Sequence, residues 1–264
     1  MYARRDVLRT GAALGLLASS PWLLAAPADS LLTRKVPGTG EALPVIGAGT
    51  SGSFEVETGS AEYQRLQQVL QAFFAGGGRI IDTSPNYGGA DAILGQLLED
   101  LLQIHNLRDW QRQLPYAREL KAQGKTRYVG ITHYLSSSHE QVAQIVRKEP
   151  LDFVQINYSV NAPEAARALL PLCQDKGVAV LINRAFDDGR LFARVKDMAL
   201  PDWAAQVGAS SWAQLFLKFA ISHPAVTAVI PATGRPDRQI DQLKAGHGQL
   251  LSEAHQRALI KLFG

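Results

Sequence analysis

The sequence predicts an α/β barrel, and two observations carry that prediction. From Leu43 onward short, nearly all-apolar β-branched runs alternate with amphipathic stretches, the pattern of parallel strands covered by helices. Nearly every such run also ends in polar residues, as at the mouth of a barrel where loops after the strands build the site. The alternative is a doubly wound dinucleotide fold, which needs G-x-G-x-x-G between its first strand and a helix. Gly47-Ala48-Gly49-Thr50-Ser51-Gly52 has that spacing, but no helical pattern opens there and no acidic residue closes a second strand.

The strands are expected at Leu43–Ile46, Arg79–Ile81, Leu101–Ile104, Arg127–Ile131, Phe153–Ile156, Val178–Ile182 and Thr227–Ile230. The helices are expected at Ala61–Phe74, Ala90–Leu98, Pro115–Gln123, Ser138–Arg147, Pro163–Asp175 and Ser211–Ser222. Ala61–Phe74 sets Tyr63, Leu66, Leu70 and Phe73 on one face and stops at Gly76-Gly77-Gly78, a helix end. The strand ends read Asp82-Thr83-Ser84, His105-Asn106, Thr132-His133, Asn157-Tyr158, Asn183-Arg184 and Pro231-Ala232-Thr233.

Residues 1–28 read as an address rather than as part of the fold. A basic start, an apolar run from Gly11 to Ala26 broken by Pro21, and Ala26-Pro27-Ala28 make a signal with a small-residue cleavage site. Arg4-Arg5-Asp6-Val7-Leu8 is similar to a twin-arginine export tag, which implies passage through the export machinery to the periplasm. A membrane anchor is the alternative, but a spanning helix needs roughly 20 apolar residues. The domain is then 29–264, with no stable membrane span.

Hydrophobic residues make up 46% and charged residues 19% of the 264, which excludes a disordered or fibrous chain. Arg4, Arg5 and Arg9 against Asp6 account for two of the three net positive charges. No basic stripe remains to suggest a nucleic-acid surface. Cys173 is the single cysteine. It allows no internal disulfide and no cysteine-based metal site, and a small buried side chain is its ordinary role.

Asp82-Thr83-Ser84-Pro85-Asn86-Tyr87-Gly88 resembles the signature of the aldo/keto reductase superfamily. Gln103-Ile104-His105-Asn106, Arg127–Tyr134, Gln155-Ile156-Asn157-Tyr158 and Ile230–Gln242 resemble further segments of it, in the family's order. The resemblance implies a (β/α)8 barrel that moves hydride between a nicotinamide, usually NADP, and a carbonyl or alcohol. Its catalytic set is Asp, Tyr, Lys and His. Reduction of a carbonyl needs a proton at the oxygen, and a phenol with a pKa of about 10 needs a neighbouring cation to give one easily at neutral pH.

Carried over, Tyr87 is the proton donor, Asp82 the partner of the lysine, and His105 the orienting group. Each has a plainer reading: turn residue, loop aromatic, strand-end histidine. Thr132, His133 and Gln155 match contacts to the nicotinamide amide. Thr233, Gly234, Arg235 and Arg238, just before a helix, suit a phosphate, and the two arginines favour NADP over NAD unless they are simply a solvated pair. Asp241 and Gln242 match positions at the adenine end. Asn183 stands near where relatives place a stacking aromatic; Phe186 is another candidate to cover the cofactor. Trp110 either lines the carbonyl pocket or packs on the following helix.

One part of the pattern is missing. Between Tyr87 and His105 there is no lysine. Leu94, Leu97, Leu98 and Leu101 keep helical spacing, and Glu99-Asp100 leads straight into Leu101–Ile104. The simplest reading is a deletion of the third strand and its helix, on the order of 40 residues by the usual size of such a unit. The barrel is then incomplete, and Asp82 lacks its cation unless Arg108 or Arg184 replaces it. The alternative to an active reductase is an impaired barrel that binds NADP(H) or a small ligand without turnover.

Overall fold

In the computed structural model, residues 30–57, 59–84, 86–88, 90 and 101–263 are described. The export signal, and all but Ala90 of the helix expected at Ala90–Leu98, lie outside them. Strands form where the apolar runs are. An antiparallel hairpin, β1 (Thr33–Lys35) with β2 (Ala42–Pro44), precedes β3 (Ala48–Gly49) and β4 (Ile81–Asp82). Then come β5 (Leu101–Ile104), β6 (Tyr128–His133), β7 (Phe153–Asn157), β8 (Ala179–Asn183) and β9 (Val226–Val229).

β5 to β9 pair in sequence order as a five-stranded parallel sheet. The sheet curls on through Val45–Gly49. The Val229 N–H donates to the Val45 carbonyl at 2.9 Å, and Gly47 N–H to the Val229 carbonyl at 2.8 Å. β3 then pairs in parallel with β4, Ala48 opposite Ile81 and Gly49 opposite Asp82. The order around the barrel is therefore β5-β6-β7-β8-β9-β3-β4. Among the described residues no strand pairing joins β4 back to β5, so the ring is open on one side.

Side chains alternate across each strand, and the interior changes character with height. Tyr128, Phe153, Ala179, Leu181 and Ala228 meet Val36 of the hairpin in a buried cluster, with Leu43, Ile80 and Leu101 against it. The hairpin thus seals the lower end; Arg34 ties it down by donating to the carbonyls of Pro224 and Ile221. Two residues further up the same faces stand Asp82, Gln103, Gln155 and, one step higher on their strands, Asn157 and Asn183. Apolar below and polar above is the period-2 consequence of the strand sequences.

The helices among the described residues are α1 (Ala61–Ala75), α2 (Trp110–Ala122), α3 (His139–Lys148), α4 (Leu169–Asp175), α5 (Arg190–Arg194), α6 (Trp212–Ser222), α7 (Pro236–Lys244) and α8 (Glu253–Phe263). Ser60 caps α1 by accepting from the Tyr63 N–H at 3.1 Å, and Leu66, Val69 and Phe73 are its buried face. Two expectations need correction. The helix expected from Pro115 begins at Trp110, with Pro115 inside it; the apolar face of Leu114 and Ala117 extends back to Trp110 and outweighs the preference of proline for a helix start. Pro163–Asp175 is not one helix but a 3-10 turn, Glu164–Arg167, followed by α4. The ring of Pro171 would clash with the Arg167 carbonyl in a continuous helix.

Candidate active site

β4 ends by presenting Asp82 at the upper rim, and the turn after it carries Tyr87. β5 ends in a 3-10 turn, His105–Leu107. These two strands flank the open side of the ring, and their loops meet there: the Tyr87 and His105 rings stand edge to face with centroids 6.0 Å apart. The structure therefore brings together all three of the catalytic residues expected from the sequence.

The electrostatics run against an easy proton donor. Asp82 keeps partial exposure as a residue, yet its carboxyl is enclosed by protein, and loss of water pushes its pKa up to about 7, opposed by a hydrogen bond from the Gln155 side chain. Among the described residues no lysine or arginine pairs with it. The Tyr87 phenol is raised above its ordinary value by burial first, then by the Asp82 charge; Ser51 hydrogen-bonds it and pulls the other way, and Glu55 adds to the rise. Burial and then the nearby Arg108 lower the pKa of His105, so its ring is neutral at physiological pH.

Neither arginine supplies the missing charge. Arg108 is exposed and acts on His105. Arg184 is paired with Asp187 at 3.5 Å and with Asp188, and lies over the Tyr134 ring. In place of a cation, Asp82 has a chain of amides: Gln103 Nε2 donates to Gln155 Oε1 at 2.7 Å, leaving the Gln155 amide nitrogen for the carboxylate. Gln103 reaches across β6 at Gly130, its register partner, where there is no side chain to obstruct it. Gln103 and Ser51 were not singled out from the sequence. The period-2 step from Leu101 would have pointed Gln103 inward, whereas nothing in the sequence places Ser51 on Tyr87.

Of the residues expected at the nicotinamide amide, Thr132 is buried on β6 and Gln155 is engaged as above. His133 has both ring nitrogens occupied. Nδ1 accepts the Leu135 N–H at 3.1 Å and Nε2 contacts Ser138 Oγ at 3.2 Å, so the proton sits on Nε2 and is given to the serine. Two buried acceptors at the rim, Gln103 Oε1 and Asn183 Oδ1, have no hydrogen-bond partner among the described residues. Phe186 packs against Phe192 with centroids 5.0 Å apart, and Trp110 lines a groove with Gln141, Gln144 and Ile145 of α3. The latter favours the helix-packing reading of Trp110.

At the other end, Thr233 is buried and its hydroxyl accepts the Arg235 N–H at 3.2 Å. Gly234 and Arg235 lead into α7, whereas Arg238, expected before the helix, lies in its first turn because Pro236 starts the helix; Arg235 and Arg238 are exposed. The Arg235 guanidinium grips Asp237 in a two-point pair at 3.0 and 2.8 Å. Both Asp241 oxygens are taken, by Ser211 at 2.7 Å and Gln214 at 2.6 Å. Gln242 and Gln239 are buried, and Gln242 Oε1 and Gln239 Nε2 have no partner among the described residues.

A parallel barrel with an Asp, Tyr and His gathered at the ends of its strands defines a TIM-type scaffold with its polar site at the mouth. The profile of the Aldo/keto reductase family matches residues 99–259, more than half of the chain, which therefore belongs to that family. The fold agrees: an aldo-keto reductase from Klebsiella pneumoniae, solved in complex with NADPH, is 21% identical, with a TM-score of 0.68 over 88% of this chain and 96% of that one. The glycerol dehydrogenase from Gluconobacter oxydans superposes with a TM-score of 0.70 at 16% identity, over 89% and 95%. By sequence, the NADH-specific methylglyoxal reductase of Escherichia coli (strain K12) is 27% identical over 123 residues, 43% of this chain and only 36% of that protein.

Proposed function

We propose that this protein is an NADP(H)-dependent oxidoreductase acting on a small carbonyl or alcohol. The observation that carries the reading is the meeting of Tyr87 and His105, rings 6.0 Å apart, beside Asp82 at the strand ends. Family membership and the solved relative with bound NADPH support the cofactor.

The residues fit a dinucleotide. The unpartnered acceptors Gln103 Oε1 and Asn183 Oδ1 suit the two N–H donors of a carboxamide. Thr233, Gly234 and the start of α7 with Arg235 and Arg238 suit a phosphate. When bound, a nicotinamide supplies hydride chemistry. The chain's own part is to deliver a proton from the Tyr87 hydroxyl to the substrate oxygen, while neutral His105 orients that oxygen by a hydrogen bond.

A second reading is favoured by one observation: among the described residues no cation pairs with Asp82 to offset the burial and the Asp82 charge that raise Tyr87. The site then binds cofactor with little turnover. We further infer that a strand–helix unit is deleted between Tyr87 and His105, consistent with the lack of pairing between β4 and β5 among the described residues, and that residues 1–28 direct export to the periplasm. Fluorescence titration with NADPH, followed by NADPH oxidation with reactive aldehydes, separates the readings. Binding in the micromolar range with turnover supports the enzyme, binding without turnover supports the second reading, and no binding overturns both. Cell fractionation of the full chain beside an Arg4→Lys, Arg5→Lys variant tests export; equal periplasmic yield from both would sink that inference.

A further inference from the structure

We propose that Gln155, backed by Gln103, is the positioning residue of Asp82 and occupies the place where this site needs a cation. The geometry comes from the barrel interior. Gln155 faces inward on β7, two residues above Phe153, and its oxygen is fixed by Gln103 at 2.7 Å. With the oxygen committed, only the NH2 group can meet Asp82, and it does so as a neutral donor. Gln103 arrives over Gly130, where an added methyl carbon would lie 2.5 Å from the Phe153 carbonyl oxygen. A side chain is thus barred from the gap that the amide chain crosses.

A neutral donor and a cation differ in what they do to the neighbours. An amide gives one hydrogen bond to the carboxylate and no charge to the phenol. An ammonium in the same place would stabilise the Asp82 anion and the Tyr87 phenolate together. Among the described residues, the charged and titratable groups around Asp82 are Tyr87 and Glu55 from the loops, and His105 with Arg108 from the turn after β5. Arg108 is the one cation among them, and it acts on His105. The proposal deepens the oxidoreductase reading by naming the residue that limits proton delivery, and only its activity arm rests on that reading.

The test uses the full chain with Gln155→Lys and Gln155→Met, the latter similar in length but uncharged. Tyr87 is followed by the ultraviolet absorbance of its phenolate, subtracting a Tyr87→Phe background, and Asp82 by carboxyl carbon NMR. Gln155→Met should raise the Asp82 pKa further. Gln155→Lys should lower both Asp82 and Tyr87 by roughly one unit or more, the usual effect of an adjacent opposite charge. With NADPH saturating, Gln155→Lys should raise kcat for aldehyde reduction about tenfold or more, in proportion to the phenol shift. Titrations that stay put in a folded Gln155→Met, as judged by circular dichroism, overturn the proposal. If Gln155→Lys does not fold, Gln103→Leu serves, since freeing the Gln155 amide must also move Asp82. Shifted titrations without any gain in turnover leave the positioning of Asp82 standing and overturn the claim that Gln155 limits proton delivery, while the oxidoreductase reading stands or falls on NADPH oxidation by the native chain.

Discussion

Replacing Asp82 with asparagine keeps the hydrogen-bond acceptor for Gln155 and removes the buried charge, so its effect on stability must depend on pH. The folded pKa of Asp82 is raised to about 7 from an ordinary 3.8. Below pH 3.8 the carboxyl is protonated in both folded and unfolded chains and the aspartate costs nothing. As pH rises toward 7 the unfolded chain releases the proton and the folded chain holds it, so stability falls, and the penalty is complete above the folded pKa. A shift of this size corresponds to about 4 kcal/mol at its ceiling. Asp82→Asn should therefore be more stable than the native chain at pH 8 by up to about 4 kcal/mol, and by less than half of that near pH 5. Urea unfolding of both proteins at pH 5 and pH 8 gives the double difference, in which the histidines cancel because both chains carry them. A stability gap that stays constant across this range, or that grows toward acid, would refute the burial argument and imply that a cation reaches Asp82 after all.

Three further outcomes follow from the same structure. Lys218 is wholly buried in α6 and donates to the carbonyls of His247 at 2.6 Å and Gln249 at 2.9 Å; Lys218→Met strands both acceptors and should cost about 1–3 kcal/mol in denaturant unfolding. Gly130→Ala drives a methyl carbon to 2.5 Å from a backbone oxygen of Phe153, which strand pairing prevents from yielding, so a loss of about 1–3 kcal/mol and a lower Tm are expected. Asp237→Asn frees the Arg235 guanidinium from its two-point pair. It should tighten NADPH binding severalfold at low ionic strength, with the gain shrinking as salt screens the charges; an unchanged Kd at low salt would mean that Arg235 does not meet the phosphate.

Much of the molecule follows from the sequence alone, for a local reason. Apolar β-branched runs ending in polar residues state both the strand and which end of it is the mouth, because period-2 alternation and strand direction are properties of a few consecutive residues. That is why Leu101–Ile104 falls where expected; Asp82, Tyr87 and His105 stand out as a set through the family resemblance of the segments that carry them. The absence of lysine between Tyr87 and His105 is equally a fact of sequence. What Asp82 meets in its place is not. The Gln103–Gln155 chain joins β5 to β7 across β6, and it exists because the barrel curls those strands to face one interior and because Gly130 leaves the crossing clear. The same holds for Asp241, whose carboxylate the sequence leaves free for a ligand and the packing of α6 against α7 hands to Ser211 and Gln214. Residue type and spacing determined which groups stand at the mouth; only the closing of strands separated by many residues decided which of them are already taken and what charge each one feels.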